Sequence, residues 1–378
     1  MIAENDKRIV LTLDAGGTNF VFSAIQSNQE IVTPVRLAAE TKVLDHCLDV
    51  IESGFRKVLD QLDQQPVAIS FAFPGPADYP KGIIGDLVNF QAFTGGVPLG
   101  PYLQERFGLP TFINNDGNLF AYGEAIAGLL PQVNQLLEEA GSPKRYRTLI
   151  GVTLGTGFGG GIVHNGNLLL GDNSNSGEVW LLRNRVRPEC FAEEGASIRA
   201  VRGTYARQMG IAIEDAPSPK EIADIASKIN IDNDETKSAE KSAAIAAYGE
   251  LGEVVGDALA NASTLLDGLI VIGGGISQAH AVFMEPLIDE MHSTLAKYDD
   301  GGEVHRIVQK VFNLESPEDR KLFASGATKT IAVPRTEREI SYDPMQRIGI
   351  GVSTLGTSRA VSIGAYAFAL NKIDETKS

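Results

Sequence analysis

Two glycine-rich runs constrain this chain more than any other feature. VTLGTGFGGGIV occupies residues 152–163 and LDAGGTN occupies 13–19. Gly155, Gly157 and Gly160 have the G-x-G-x-x-G spacing of a dinucleotide-binding turn, which needs a strand before it and a helix after it. TLIGVTL (148–154) supplies the strand. The helix is missing: GGGIVHNGNLLLG carries three glycines, β-branched residues and then Asn165-Gly166, the pair that favours a two-residue hairpin turn. The pattern predicts strand–turn–strand, so the dinucleotide reading fails on its context.

The same unit occurs earlier. RIVLTLD (8–14) reads as a strand, AGGT as a turn, NFVFSAIQ (19–26) as a second strand and Ser27-Asn28 as another tight turn. Two such units about 140 residues apart predict two related halves. A third cluster, Gly273-Gly274-Gly275, ends the apolar strand LIVI. A chain of 378 residues also exceeds one comfortable core, which agrees with two domains.

Between these runs, Val43, Leu44, Cys47, Leu48, Ile51, Phe55, Val58, Leu59 and Leu62 form one helical stripe over 41–62. VAISFAF (67–73) and GLPTFIN (108–114) read as strands, and a helix is expected from about Asn118. Ile245, Leu251, Val254, Val255, Leu259 and Leu265 predict an amphipathic helix, preceded by a polar surface loop or helix cap over 229–242.

Glycine turns at strand ends let backbone N–H groups approach phosphate oxygens without a Cβ in the way. Thr18 and Thr156 add hydroxyl donors. Two Gly/Thr hairpins and a third glycine loop together suit a nucleotide clamp, with the hairpins on the phosphates and the third loop against the adenosine. No G-x-x-x-x-G-K-[ST], H-E-x-x-H or G-x-S-x-G occurs, which removes the P-loop, zinc-protease and hydrolase-elbow readings. A formal net charge of −15 repels a phosphate backbone and speaks against nucleic acid. The N-terminal stretch lacks the basic region of a signal peptide, and no apolar run is long enough to span a bilayer, so a cytoplasmic protein is expected.

With these motifs in place, the chain resembles a known family. Asp14-Ala15-Gly16-Gly17-Thr18 is similar to the first phosphate motif of the sugar kinase/actin/Hsp70 superfamily. FAFPGPAD (71–78), NFQAFTGGVPL (89–99), INNDGN (113–118), VTLGTGFGGGIV, LIVIGGGIS and LGTSRAVSIGAYAFAL (355–370) keep the order and spacing of the ROK family of repressors, open reading frames and kinases. The resemblance implies an α/β, two-lobed, actin-like ATPase (RNase H-like) fold with its active site in the interlobe cleft. The N-terminal lobe would take residues 1–117 plus about 360–378, and the C-terminal lobe 118–359. It further implies ATP and Mg²⁺, and phosphorylation of a hexose or N-acetylhexosamine hydroxyl at C6.

Residue by residue, Asp116 matches the catalytic base, and Asp14 would sit near Mg²⁺ through water. Gly16, Gly17 and Thr18 match the first phosphate hairpin, Gly155, Thr156 and Gly157 the second, and Gly273, Gly274 and Gly275 the adenosine loop. Gly75, Asn89, Asn115, Asp116 and Glu178 match the sugar-side residues. On its own, Asp116 also fits a turn residue or helix N-cap, and Glu124 fits either a site-supporting or a solvent-facing role.

One segment departs from the family. Most ROK kinases read E-x-G-H and then carry three cysteines that hold zinc with the histidine; here Glu178-Val179-Trp180-Leu181 is followed by Cys190 alone. Leucine cannot ligate zinc and one cysteine cannot complete a four-ligand site, so no structural zinc is expected. Glu189 and Glu193 are both candidates for the family's second sugar-side glutamate, and Trp180 either lines the sugar pocket or packs beneath the loop. The five histidines lack metal-ligand spacing. A sugar-responsive repressor and a catalytically weakened sugar-binding protein are the competing readings. Monomer and homodimer both stay open, dimers being common in the family.

Overall fold

The computed structural model describes residues 6–16, 18–75, 77–85, 91–228, 235–298 and 301–377. The chain forms two compact units: residues 1–128, 161–177 and 355–378 in unit 1, and 129–160 and 178–354 in unit 2.

Unit 1 is built on strands β1 (Val10–Ala15), β2 (Asn19–Gln26), β3 (Gln29–Glu30), β4 (Val35–Ala38), β5 (Ala68–Ala72) and β6 (Thr111–Asn114), in the order β3-β2-β1-β5-β6, with β4 also pairing β2. β1 and β2 are antiparallel, while β1, β5 and β6 are parallel. Ser27 and Asn28 take φ of 52° and 61°, the left-handed pair that a tight hairpin turn demands. The predicted stripe is helix Leu44–Leu59, which buries Cys47, Ile51, Phe55 and Val58. Gly54 on that helix leaves room for the ring of Phe22. The Val43 end of the stripe stays exposed, because Val43 is the N-cap and precedes the helix.

Helix Asp116–Ala127 comes directly after β6 and packs against the C-terminal helix Thr357–Glu375. Their approach is backbone to backbone. Gly123 lies on the carbonyl of Ala360 and Gly364 on that of Leu119, with no space for a side chain at either position. The same C-terminal helix covers one face of the sheet with Tyr366, Ala369 and Leu370 over Val10, Ile25 and Ala68.

The second sheet uses β7 (Thr148–Leu154), β8 (Phe158–His164), β9 (Asn167–Leu168), β10 (Leu269–Gly273), β11 (Lys310–Asn313) and β12 (Arg347–Val352), in the order β9-β8-β7-β10-β12-β11. The division between the units falls within β8. Asn165 and Gly166 take φ of 50° and 77°, so the hairpin is the one the sequence predicts and no helix succeeds the glycines. β7, β10, β12 and β11 are mutually parallel. The first five strands thus repeat the order of the first sheet, which gives the recurring glycine hairpin a structural basis.

The helix expected around 245–265 is Glu235–Leu266. Ile245 and Leu265, assigned to its buried stripe, are 53% and 85% exposed. The inward face is instead rich in alanine: Ala243, Ala244, Ala247, Ala258 and Ala260 are buried beside Tyr248, Leu251, Val254 and Leu259. Small residues let this helix lie close to helix His280–Met291, and Gly252 and Gly256 meet its backbone directly. The helix also takes in residues 235–242 of the expected loop or cap, while 229–234 lie outside the described residues. Among the described residues no helix is long and apolar enough to cross a membrane.

Candidate active site

In unit 1, strand register brings the chemistry together. Asp14 on β1 stands level with Ala72 on β5, and Ala72 with Asn114 on β6. All three lie at the carboxyl ends of parallel strands, where open α/β sheets bind ligands. The residues just beyond them line one recess of about 220 Å³ that includes Thr12, Asp14, Pro74, Asp116 and Ser358.

Two carboxylates share this recess. Asp14 keeps an exposed face, yet desolvation of its carboxylate in the recess pushes its pKa above the ordinary aspartate value; Arg36 opposes the rise and the negative charge of Asp116 adds to it. Arg36 lies in the same row of the sheet, since Asp14 pairs with Val21 and Val21 with Arg36.

Asp116 is the first residue of its helix and is exposed; it is not the cap. Asn115 is. Its Oδ1 accepts from Gly117 N at 2.8 Å and Asn118 N at 3.4 Å, and among the described residues its Nδ2 has no hydrogen-bond partner. Asp116 Oδ1 accepts from Gly117 N at 2.9 Å. Beneath them Asn114, buried, accepts from Asn115 N at 2.8 Å and Asn118 Nδ2 at 3.3 Å. The turn that carries Asp116 is therefore fixed by three asparagines, of which the sequence reading singled out only Asn115. Asn-Asn-Asp before a helix is the signal that would have found Asn114.

Gly16 N donates to Asn19 O at 3.1 Å to close the first hairpin, with Thr18 exposed beside it. Gly75 faces the Tyr79 hydroxyl, which donates to Phe73 O at 3.0 Å. Gly17 and Asn89 lie outside the described residues. Glu124 is fully buried, which removes the solvent-facing reading.

In unit 2, Gly155 N donates to Gly157 O at 3.0 Å, so Thr156 sits exposed at the tip of the second hairpin. The carboxylate of Glu193 accepts from Phe158 N at 2.9 Å and fills the space where a side chain on Gly157 would stand. Glu189 is exposed. Gly274, at φ 87°, lies against the backbone of Leu154, so the third glycine loop is held at the end of the second hairpin's first strand. Gly155 and Gly275 face open space.

Glu178 caps the short turn Val179–Leu181, and the indole N–H of Trp180 donates to its Oε2. Trp180 packs edge-on against Phe191 and onto the unit 2 core. Leu181 is 58% exposed. The loop after this turn is drawn in by Asn184, almost wholly buried, whose Oδ1 accepts from Val186 N at 3.0 Å and Arg187 N at 2.9 Å. Asn184 N in turn donates to Cys190 O at 3.0 Å. Among the described residues no three His, Cys, Asp or Glu side chains converge as metal ligands.

Comparison with known proteins agrees with this arrangement. The family model described as "ROK family" matches residues 10–315. The chain belongs to the ROK family. A glucokinase of Halalkalibacterium halodurans is 30% identical over 315 residues, covering 77% of this chain and 88% of that relative. An N-acetyl-D-glucosamine kinase of Vibrio atlanticus is 33% identical over 170 residues, covering 45% of this chain and 51% of that protein. The crystal structure of a glucokinase from Parabacteroides distasonis superposes with a TM-score of 0.87 at 52% identity, covering 98% of this chain and 99% of that one. The α/β fold that the ROK resemblance implies is therefore the fold of this chain. The C-terminal helix Thr357–Glu375 lies beyond the family match, yet it lines the recess that holds Asp14 and Asp116.

Proposed function

We propose that this protein is an ATP-dependent sugar kinase that phosphorylates a hexose or N-acetylhexosamine hydroxyl, at C6. The observation that carries the reading is the pair Asp14 and Asp116, held in one recess at the ends of parallel strands, where the negative charge of Asp116 makes ionising Asp14 costlier. Two carboxylates with no cation between them repel, and such a pair suits a divalent ion that also meets substrate phosphates.

Asp116 is the general base. Its Oδ1 is engaged by Gly117 N, so Oδ2 takes the proton as the sugar oxygen attacks the γ-phosphorus and ADP leaves. A positioned base is worth about 10²–10⁴-fold. Asn115, with Oδ1 committed to the helix, offers Nδ2 to a sugar oxygen; Gly75 and Asn89 join it in unit 1, and Glu178 in unit 2. Gly16, Gly17 and Thr18 donate to phosphate in unit 1. Gly155, Thr156 and Gly157 do so in unit 2, where Gly273, Gly274 and Gly275 flank the adenosine. Asp14 would hold Mg²⁺ through water; the ion would offset phosphate charge as the bond to the leaving oxygen breaks.

The fit of a structural zinc is poor. Cys190 stands alone where several ligands would be needed, and Asn184 closes the loop by hydrogen bonds. We therefore read the enzyme as zinc-free. Its use of ATP and its two free thiols suit the cytoplasm, and its net charge of −15 suits a small-molecule substrate over nucleic acid. The loss of the family histidine at Leu181 keeps a catalytically weakened sugar binder as the second reading.

Coupled ADP release against a hexose panel, with the parent and Asp116→Asn, separates the two. Sugar-dependent turnover that falls at least 100-fold in the variant supports the kinase. Sugar binding with no turnover in the parent supports the second reading.

A further inference from the structure

Trp180 is the only tryptophan in the chain. It lies two residues after Glu178, in the turn that Glu178 caps, and its Nε1–H donates to Glu178 Oε2. The ring has little freedom of its own. It meets Phe191 edge-on, with centroids 5.6 Å apart and planes at 86°, and the remainder packs on the unit 2 core. Phe191 is in turn tied back by a backbone bridge to Arg183. Among the described residues the other carboxylate oxygen, Oε1, has no hydrogen-bond partner.

We infer that Trp180 is a positioning residue that locks Glu178 in one orientation, so that the unengaged Oε1 meets the sugar and recognises one hydroxyl. The inference rests on the reading of Glu178 as a sugar ligand. Its physical basis is the pairing of a fixed donor with a flexible acid. A free glutamate samples several rotamers, and a charge-assisted bond to an immobile N–H selects one before substrate arrives. The indole takes one acceptor site of Oε2, so Oε1, with both lone pairs open, is the stronger acceptor left for a sugar hydroxyl. The same contact makes the indole a reporter, because a change in the hydrogen bonding of Glu178 reaches the chain's only tryptophan.

The test uses the full-length protein. In the parent, without nucleotide, glucose or N-acetylglucosamine should shift tryptophan emission and saturate near its kinetic KM, and Glu178→Gln should abolish the shift. Trp180→Phe keeps an aromatic ring against Phe191 while removing the donor and one ring of the indole. It should raise the sugar KM about tenfold while leaving kcat and the ATP KM within about twofold. On a panel of monodeoxy hexoses, one analogue should lose about tenfold in kcat/KM with the parent, and that loss should shrink in Trp180→Phe, because the oriented oxygen it reports is no longer oriented. The inference is overturned if a sugar is turned over yet its binding leaves emission unchanged, or if folded Trp180→Phe keeps the parental sugar KM and deoxy-sugar profile. A parent that phosphorylates no sugar at all removes the kinase reading itself, which is a different result. The emission titration needs no variant, so unchanged emission on sugar binding overturns the inference even if Trp180→Phe unfolds.

Discussion

Gly161 lies against the first turn of the helix that carries Asp116: a Cβ on Gly161 would stand 2.6 Å from the carbonyl oxygen of Gly117 and 2.7 Å from the Cα of Asn118. Both residues belong to unit 1. The return strand of the second glycine hairpin therefore seats the residue next to the proposed base.

Gly161→Ala should displace that turn. Overpacking of this kind costs about 1–3 kcal/mol, and Asp116 should move with the backbone. The expected result is a lower denaturation midpoint together with a kcat loss of about tenfold or more, since small misplacements of a catalytic group are costly. A variant with a lowered midpoint and parental kcat would show that Asp116 does not depend on this contact.

Asp14 gives a pH-dependent prediction. Its folded-state pKa is raised, chiefly by burial, so the native state binds the proton more readily than the unfolded chain. Stability should then fall as pH rises from the unfolded pKa, about 3.9, through the higher folded value. Asp14→Asn, which carries no charge at any pH, should melt above the parent at neutral pH, with the gain vanishing in acid. Mg²⁺ should raise the melting temperature of the parent more than that of the variant. Thermal melts from pH 3 to 8, with and without Mg²⁺, check both statements.

Gly274→Ala places a Cβ at φ 87° and into the backbone of Leu154. The strain is worth about 1–3 kcal/mol. The ATP KM should rise several-fold while sugar binding, read by tryptophan emission, stays near the parental value. An unchanged ATP KM would remove this loop from the nucleotide site.

Asn184→Ala leaves two loop N–H groups, on Val186 and Arg187, without their acceptor. A loss of about 1–3 kcal/mol is expected in denaturant unfolding, with a higher sugar KM because the loop after Glu178 loosens. A chelator should leave the parental melting temperature unchanged, and elemental analysis should find no zinc. One equivalent of bound zinc would show that the loop is held by metal.

The hairpins are legible in sequence because Asn165-Gly166 and Ser27-Asn28 state their turn chemistry locally, and because β1 and β7 are apolar runs bounded by glycine. Helix Glu235–Leu266 is partly legible: counting large apolar residues finds Leu251, Val254, Val255 and Leu259, which are buried, but also selects the exposed Ile245 and Leu265 and passes over the alanines that allow a close neighbour. At the candidate site, Asp14 and Asp116 stand in recognisable motifs, but their sharing of one recess comes from the register of three strands, which no local pattern encodes. Gly161 is one glycine among three, and only the approach of another backbone distinguishes it. Asn184 is not legible because a single amide that accepts two loop N–H groups leaves no ligand-like pattern in the sequence.

Unit 1 draws on both ends of the chain, and its two interlocked helices meet through Gly123 and Gly364, more than 200 residues apart in sequence. During synthesis the helix bearing Asp116 leaves the ribosome long before its partner exists. It must wait, with the Gly123 face bare, while residues 129–354 are added. The proposed base is thus among the last groups to be seated, and a chain cut short before Thr357 would carry both glycine hairpins and every acidic residue of the candidate site without the helix that completes it.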